Sequence, residues 1–552
     1  MKLLSPQMLW ADFDPTAEPL DKETYKCTDV DGITTEELYF TGRTLDSGAK
    51  SRVYAVVCYK STRSSKPALL VINEPSKPID VAELQYWAKQ GFITMAVDMR
   101  GQVDHGRFTV YPNELKYANS LDCTDDFKLT NTAKQTKWYE YGVNNMRAVT
   151  LLANHKYVKG VSVLTLGRGC RVGMMVLAKD TRVQNASIVF GNLVDEYPFT
   201  HPQQYTDVEL VAMESVTAVD KQLSKKEHEQ IWEAGIGPQS YLPFINVPMY
   251  VVCGGNSTNV QIGTLSKAFC RVNKQSKLLI LPDAFDYLPN YMVNSIAKWF
   301  KGKTSDAEMK LQVVDSNDNQ LTVQVTTNCQ MADLELWYCR DKNKKGKHWV
   351  VAPLKATQSE NVYTATLDLY EHNCQLYALA VANGDVPVST PLMEITTGSQ
   401  YTLRHRKPLI YSGEEDFRFV PVNMVSDIWH GNEIELYKCK GYLGITGQKG
   451  SCFATFALSD SSNVSSGGVL AFDICCDVKQ DLTIVAIVNL GEQNQSYVAH
   501  VNLVGNGRWQ RVILNSNDFL SQEKRTITIG NKVDMVIFSA KEKFIINNIS
   551  LV

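Results

Sequence analysis

Val161-Ser162-Val163-Leu164-Thr165-Leu166 runs straight into Gly167-Arg168-Gly169-Cys170-Arg171-Val172-Gly173. The first six residues read as a buried strand, the glycines as a tight turn, and the apolar stretch on to Leu177 as a helix. Strand, glycine-bounded turn and helix form the setting of a nucleophile elbow, G-x-S-x-G, in which a serine sits on a strained turn at the top of an α/β sheet. Gly167 takes the first glycine place. Gly169 then stands where the serine belongs, and Arg171 where the second glycine belongs. The frame predicts the fold, and the residues predict that its nucleophile is missing.

Working outward, strand-like and helix-like segments alternate over residues 1–302. Val53–Tyr59, Ala68–Ile72, Phe92–Val97, Ser187–Phe190, Pro248–Cys253 and Lys277–Leu281 read as strands. Val81–Lys89, Trp138–His155, Leu265–Val272 and Asn290–Phe300 read as helices. Such alternation predicts a doubly wound, mostly parallel sheet covered on both faces. The segment 193–242 has no matching strand and carries a charged run from Lys221 to Glu233, so it predicts a lid insertion over the carboxyl edge.

After the polar linker Lys301–Asp306 the period changes to two. Leu311–Val314, Leu321–Thr326, Leu334–Cys339, Tyr363–Leu367 and Gln375–Ala382 predict a small Ig-like β-sandwich over 306–398. A further all-β unit over 401–552 has its clearest strands at Leu470–Ile474, Leu482–Val488, Tyr497–Val504, Arg511–Leu514, Met535–Phe538 and Phe544–Ile549. The 552 residues are too many for one core.

The chain is 44% hydrophobic and 21% charged, with a formal net charge of -3, which argues against a broad electrostatic footprint for nucleic acid or an anionic membrane. No apolar run reaches the length of a spanning helix, and Met1–Pro6 lacks the apolar core of a signal peptide. These features predict a cytoplasmic protein, or a secreted one if a leader was trimmed. The 13 cysteines form no CxxC pair and no zinc spacing with histidine, so free thiols are expected, with no metal and no cofactor.

Further motifs carry a resemblance. Trp10-Ala11-Asp12-Phe13-Asp14-Pro15 followed by Glu18-Pro19-Leu20, Arg100-Gly101-Gln102, and Thr136–Tyr141 with Arg147-Ala148 are together similar to bacterial α/β-hydrolases of the acetyl-xylan-esterase and carbohydrate-esterase type. The resemblance covers the first 300 residues. It extends more weakly to the β-region around His348-Trp349 and Tyr363–Leu379, which resembles the small domain that follows such hydrolases.

The resemblance places a serine nucleophile at Gly169, the acid at Ser257 within Asn256-Ser257, and the histidine at Phe285. Its His-Gly-Gly oxyanion loop falls on Asn73-Glu74-Pro75, where proline has no N–H and Glu74 brings negative charge. Without nucleophile and base no acyl-enzyme forms. The expectation is a pseudo-esterase with a binding or scaffolding role, carbohydrate being the ligand class the resemblance implies. Two alternatives stand beside it: an active carbohydrate esterase with a relocated site, and a structural assembly subunit.

Four local features bear on these alternatives. Cys170 is the thiol nearest the elbow, but no histidine follows the last strand to activate it. Asp104 and His105, with Asp195-Glu196, are the residues from which a relocated site would be built. Arg168 and Arg171, beside a helix N-terminus, suit an anion, or Arg171 fills vacated pocket volume and pairs with an acidic neighbour. In the last unit, Gly505–Val512 and the ending near Ile546–Ile549 resemble a jelly-roll carbohydrate-binding module. There His500 and Asn502 alternate against Tyr497, Ala499 and Val501, and either line a polar concave face or simply meet solvent, while Trp509 is a packing residue or a sugar platform.

Overall fold

The computed structural model describes residues 2–551 apart from 62–63, 102–105, 120–128, 130–131, 195–223, 258–259, 283, 285–287, 289, 306, 318–319, 332, 341–346, 348, 369–374, 397–408, 414–418, 423–434, 457–468, 489–494, 529–530 and 532. Most of the predicted insertion, together with Asp104, His105, Asp195, Glu196, Phe285 and His348, lies outside the described residues.

The chain divides into two compact units, one built mainly from 1–253 with 259–279 and 294–305, the other from 306–552 with 254–258 and 280–293. In the N-terminal half, nine strands form one sheet. They are β1 (Glu23–Val30), β2 (Ile33–Thr44), β3 (Lys50–Lys60), β4 (Lys66–Ile72), β5 (Ile93–Val97), β6 (Val158–Leu166), β7 (Val183–Val189), β8 (Met249–Gly254) and β9 (Lys277–Leu281). Their order is β1-β2-β3-β5-β4-β6-β7-β8-β9. β1 to β3 pair antiparallel, β3 joins β5 antiparallel, and from β5 through β4, β6 and β7 to β8 the pairing is parallel. This is an α/β-hydrolase sheet, as the alternating pattern predicted. β4 to β8 are buried over most of their length, with helices packed against the sheet.

The long helix Lys137–Ala153 shows how the early motifs serve the fold. Thr136 caps it, its side chain accepting from the Tyr139 N–H. Arg147 is almost fully buried, and no carboxylate among the described residues forms an ion pair with its guanidinium. It donates instead to the carbonyls of Pro15, Thr41, Glu18 and Pro19 at 2.7–3.1 Å, tying the N-terminal segment to the sheet. Trp10 stacks on Tyr139 with ring centroids 4.5 Å apart and crosses the helix at Gly142, where a Cβ would stand 2.8 Å from the indole.

The period-two region is all-β. A four-stranded sheet that includes Met309–Asn317, Gln320–Thr327 and Val362–Asp368 encloses, with a five-stranded one around Leu334–Arg340 and Gln375–Ala382, a core of Leu321, Val323, Val325, Leu336, Leu367 and Ala378. The last region is a nine-stranded arrangement built on the 19-residue strand Val533–Leu551. One half of that strand pairs with Gln480–Val488 and the other with Val469–Cys475, so it serves two parts of the sheet around the Phe453, Phe472, Phe538 and Phe544 core.

Candidate functional site

The turn after β6 passes through the left-handed backbone region at one residue. Gly167 has φ +50°, Arg168 is already in the helical region, and the helix Gly169–Lys179 follows at once. The Gly167 N–H is held by the Val189 carbonyl at 3.0 Å, and its own carbonyl accepts from Cys170 at 3.1 Å. The apex of a nucleophile elbow is the residue forced into this disfavoured backbone region. In this turn that backbone region is taken by Gly167, two residues before the Gly169 to which the resemblance assigns the nucleophile. The five-residue frame centred on Gly167 is Thr165-Leu166-Gly167-Arg168-Gly169. At either position there is no hydroxyl.

Gly169 has a different task. A Cβ there would stand 2.6 Å from the Asn73 carbonyl oxygen and would also strike that of Ile72. It lets the helix begin against the end of β4, and no side chain fits.

The space above Gly167 is filled. A Cβ on Gly167 would collide with Oε1 of Glu74, so the Glu74 carboxylate occupies the seat of the missing side chain. Glu74 pairs with Lys77 at 3.8 Å, and its N–H is bound by the Asn73 side chain at 2.8 Å. Of the expected oxyanion loop, then, one N–H is engaged locally, Pro75 has none, and a negative charge stands at the centre. The sequence showed Glu74 as an unfavourable neighbour but gave no sign that it fills the apex.

The two arginines separate. Arg168 is exposed. Arg171 is buried between two indoles, its guanidinium carbon 4.2 Å from the Trp138 ring centre and 4.7 Å from that of Trp232. This cation–π sandwich fixes the helix after the elbow against Lys137–Ala153 and the helix Lys225–Gly235. Arg171 thus packs in the interior between these helices. Around it, Tyr241 donates to the Gly235 carbonyl at 2.7 Å, and burial pushes its phenol up from the ordinary tyrosine range. Cys170 is buried, with Sγ 3.3 Å from the Asn192 carbonyl.

Deeper in the same helix layer, Glu140 receives Arg43 at 2.6 Å and Tyr117 at 3.0 Å. Burial raises its carboxyl above the usual range, with the guanidinium and the phenol opposing.

The turn where a catalytic acid was sought is used for packing. The Asn256 Oδ1 accepts the Lys347 N–H at 2.7 Å, and a Cβ on Gly255 would stand 2.6 Å from the Trp349 Nε1. Ser257 is almost fully buried. The turn thus packs against Lys347 and Trp349, and Ser257 offers no carboxylate.

In the last region His500 and Asn502 are exposed and alternate with buried Tyr497 and Ala499, as expected; the His500 ring lies 3.3 Å from the Thr483 hydroxyl. Trp509 donates from Nε1 to the Tyr442 carbonyl at 2.8 Å and lies across Gly441 and Gly447. No group of three metal-ligating side chains occurs among the described residues, and no helix among them is long and apolar enough to cross a membrane. The described cysteines are free, and burial pushes the Cys58 thiol up to about 11.

No protein family and no curated protein sequence matches the chain. Solved structures do. An acetyl xylan esterase from Thermoanaerobacterium sp. JW/SL YS485 is similar at 16% identity and TM-score 0.45, over 53% of this chain and 92% of the esterase. An acetyl xylan esterase from Paenibacillus sp. R4 is similar at 13% identity and TM-score 0.42, over 52% and 91%. A dienelactone hydrolase described as putative, from Klebsiella pneumoniae, follows at 12% identity and TM-score 0.30, over 46% and 87%.

Proposed function

We propose that the N-terminal domain is a non-catalytic homologue of the α/β-hydrolases and that the protein binds or scaffolds, with carbohydrate as its ligand class. One observation carries this reading. The elbow apex is Gly167, with no side chain, and the Glu74 carboxylate stands where a nucleophile would stand. Removing the nucleophile of a serine hydrolase costs about a million-fold in turnover, or roughly 8 kcal/mol of barrier. A carboxylate at the same place also opposes the developing oxyanion, the charge such sites are built to stabilise.

The reading is tested by incubating the full chain with p-nitrophenyl acetate and with acetylated xylan. The expected outcome is no turnover above buffer. Turnover that one point substitution abolishes would establish a relocated site and overturn the proposal. Retention on deacetylated or acetylated xylan in affinity electrophoresis tests the binding half.

A further inference from the structure

The strands Tyr437–Lys440 and Thr446–Thr455 form a hairpin closed by Gly441–Ile445. The loop is firmly built. Gly441 N–H donates to the Ile445 carbonyl at 2.8 Å, Gly444 N–H to the Gly441 carbonyl at 3.1 Å, and the Trp509 indole to the Tyr442 carbonyl at 2.8 Å. At its apex Leu443 has φ +60° and Gly444 φ +75°. Two successive left-handed residues call for Asn-Gly or Gly-Gly. Leucine there stores strain and hides nothing, since 78% of its surface is exposed. Tyr442 and Ile445 beside it, and Tyr437 at the hairpin's start, are also exposed, at 41%, 43% and 42%.

The polar side chains around this apex are basic. Lys438 and Lys440 are exposed, and the stretch 436–450 contains no acidic residue. Arg508 lies 5.6 Å from the Tyr442 ring centre. Lys543 lies 5.7 Å from that of Tyr437 and pairs at 2.7 Å with Glu435, just before the hairpin.

We propose that this hairpin docks the protein on an anionic lipid surface. Leu443 and its neighbours enter the headgroup–acyl boundary, tyrosines take the interfacial level, and Lys438, Lys440 and Arg508 meet the lipid charge. An oligosaccharide is the poorer match, because the loop offers an aliphatic tip and no amide or carboxylate to pair with hydroxyls. The charge is local, so it is compatible with a net charge of -3. The inference is independent of what happens at Gly167.

The test is co-sedimentation of the full chain with vesicles of phosphatidylcholine alone and of phosphatidylcholine with phosphatidylserine. Binding is expected on the second only, and it should fall with salt. Leu443→Asn suits the left-handed backbone, so the fold is kept and a thermal melt verifies it. It should lower the partition about tenfold, and Lys438→Glu with Lys440→Glu at least as much. Absence of wild-type binding to the charged vesicles overturns the proposal. So does binding that survives Leu443→Asn, which would be simple electrostatic adsorption.

Discussion

Of the turns that hold a residue in the left-handed backbone region, those at Gly167 and Leu443 are occupied in opposite ways. At Gly167 a strand-to-helix turn, where hydrolases place a reactive side chain, carries none, and the Glu74 carboxylate fills the gap. At Leu443 a hairpin apex, where glycine or asparagine costs least, carries a large apolar side chain turned to solvent. Strain has been relieved where a nucleophile would use it and retained where an exposed leucine is presented. The comparison therefore moves attention from the elbow to the β-rich end of the chain.

The largest effect expected is from the elbow glycines. Gly169→Ser should cost about 4 kcal/mol or prevent folding, because the obstruction is backbone carbonyl, whereas Gly167→Ser should cost roughly 2 kcal/mol, since the Glu74 side chain can swing away. Urea denaturation of both variants measures the difference. If Gly169→Ser is the milder, the apex has been misplaced and the comparison breaks.

Next is Arg171→Ala, which empties the space between Trp138 and Trp232. A loss of about 2–3 kcal/mol is expected from the lost stacking and the cavity left behind. An unchanged urea midpoint would mean that the interior beside the elbow is not packed as described. The smallest effect has the opposite sign: Leu443→Asn should stabilise by about 0.5–1 kcal/mol by removing left-handed strain. A destabilised variant would show that Leu443 packs rather than projects.

The strand, turn and helix periodicities were enough to give an α/β sheet in the first 302 residues and β-structure after the linker. Hydrophobic period is a local property, and each side chain's burial follows from it. The absence of serine at the elbow and the missing N–H of Pro75 were equally legible, because they are matters of residue type. The frame of the elbow was not. Gly167 and Gly169 look alike in the sequence, and only backbone torsion and the approach of β4 tell the flexible one from the crowded one. The neighbours of Arg171 were likewise not legible, because Trp138 lies 33 residues before it and Trp232 61 residues after it.

Residue chemistry by itself thus determined the fold class of the first domain and the lack of a hydroxyl nucleophile at its turn. Tertiary structure alone decided that Glu74 occupies the apex, that Asn256 and Gly255 pack against Lys347 and Trp349, and that Leu443 stands exposed in a strained loop. Each of these depends on which distant segments fill or vacate a particular volume, and local sequence does not encode that.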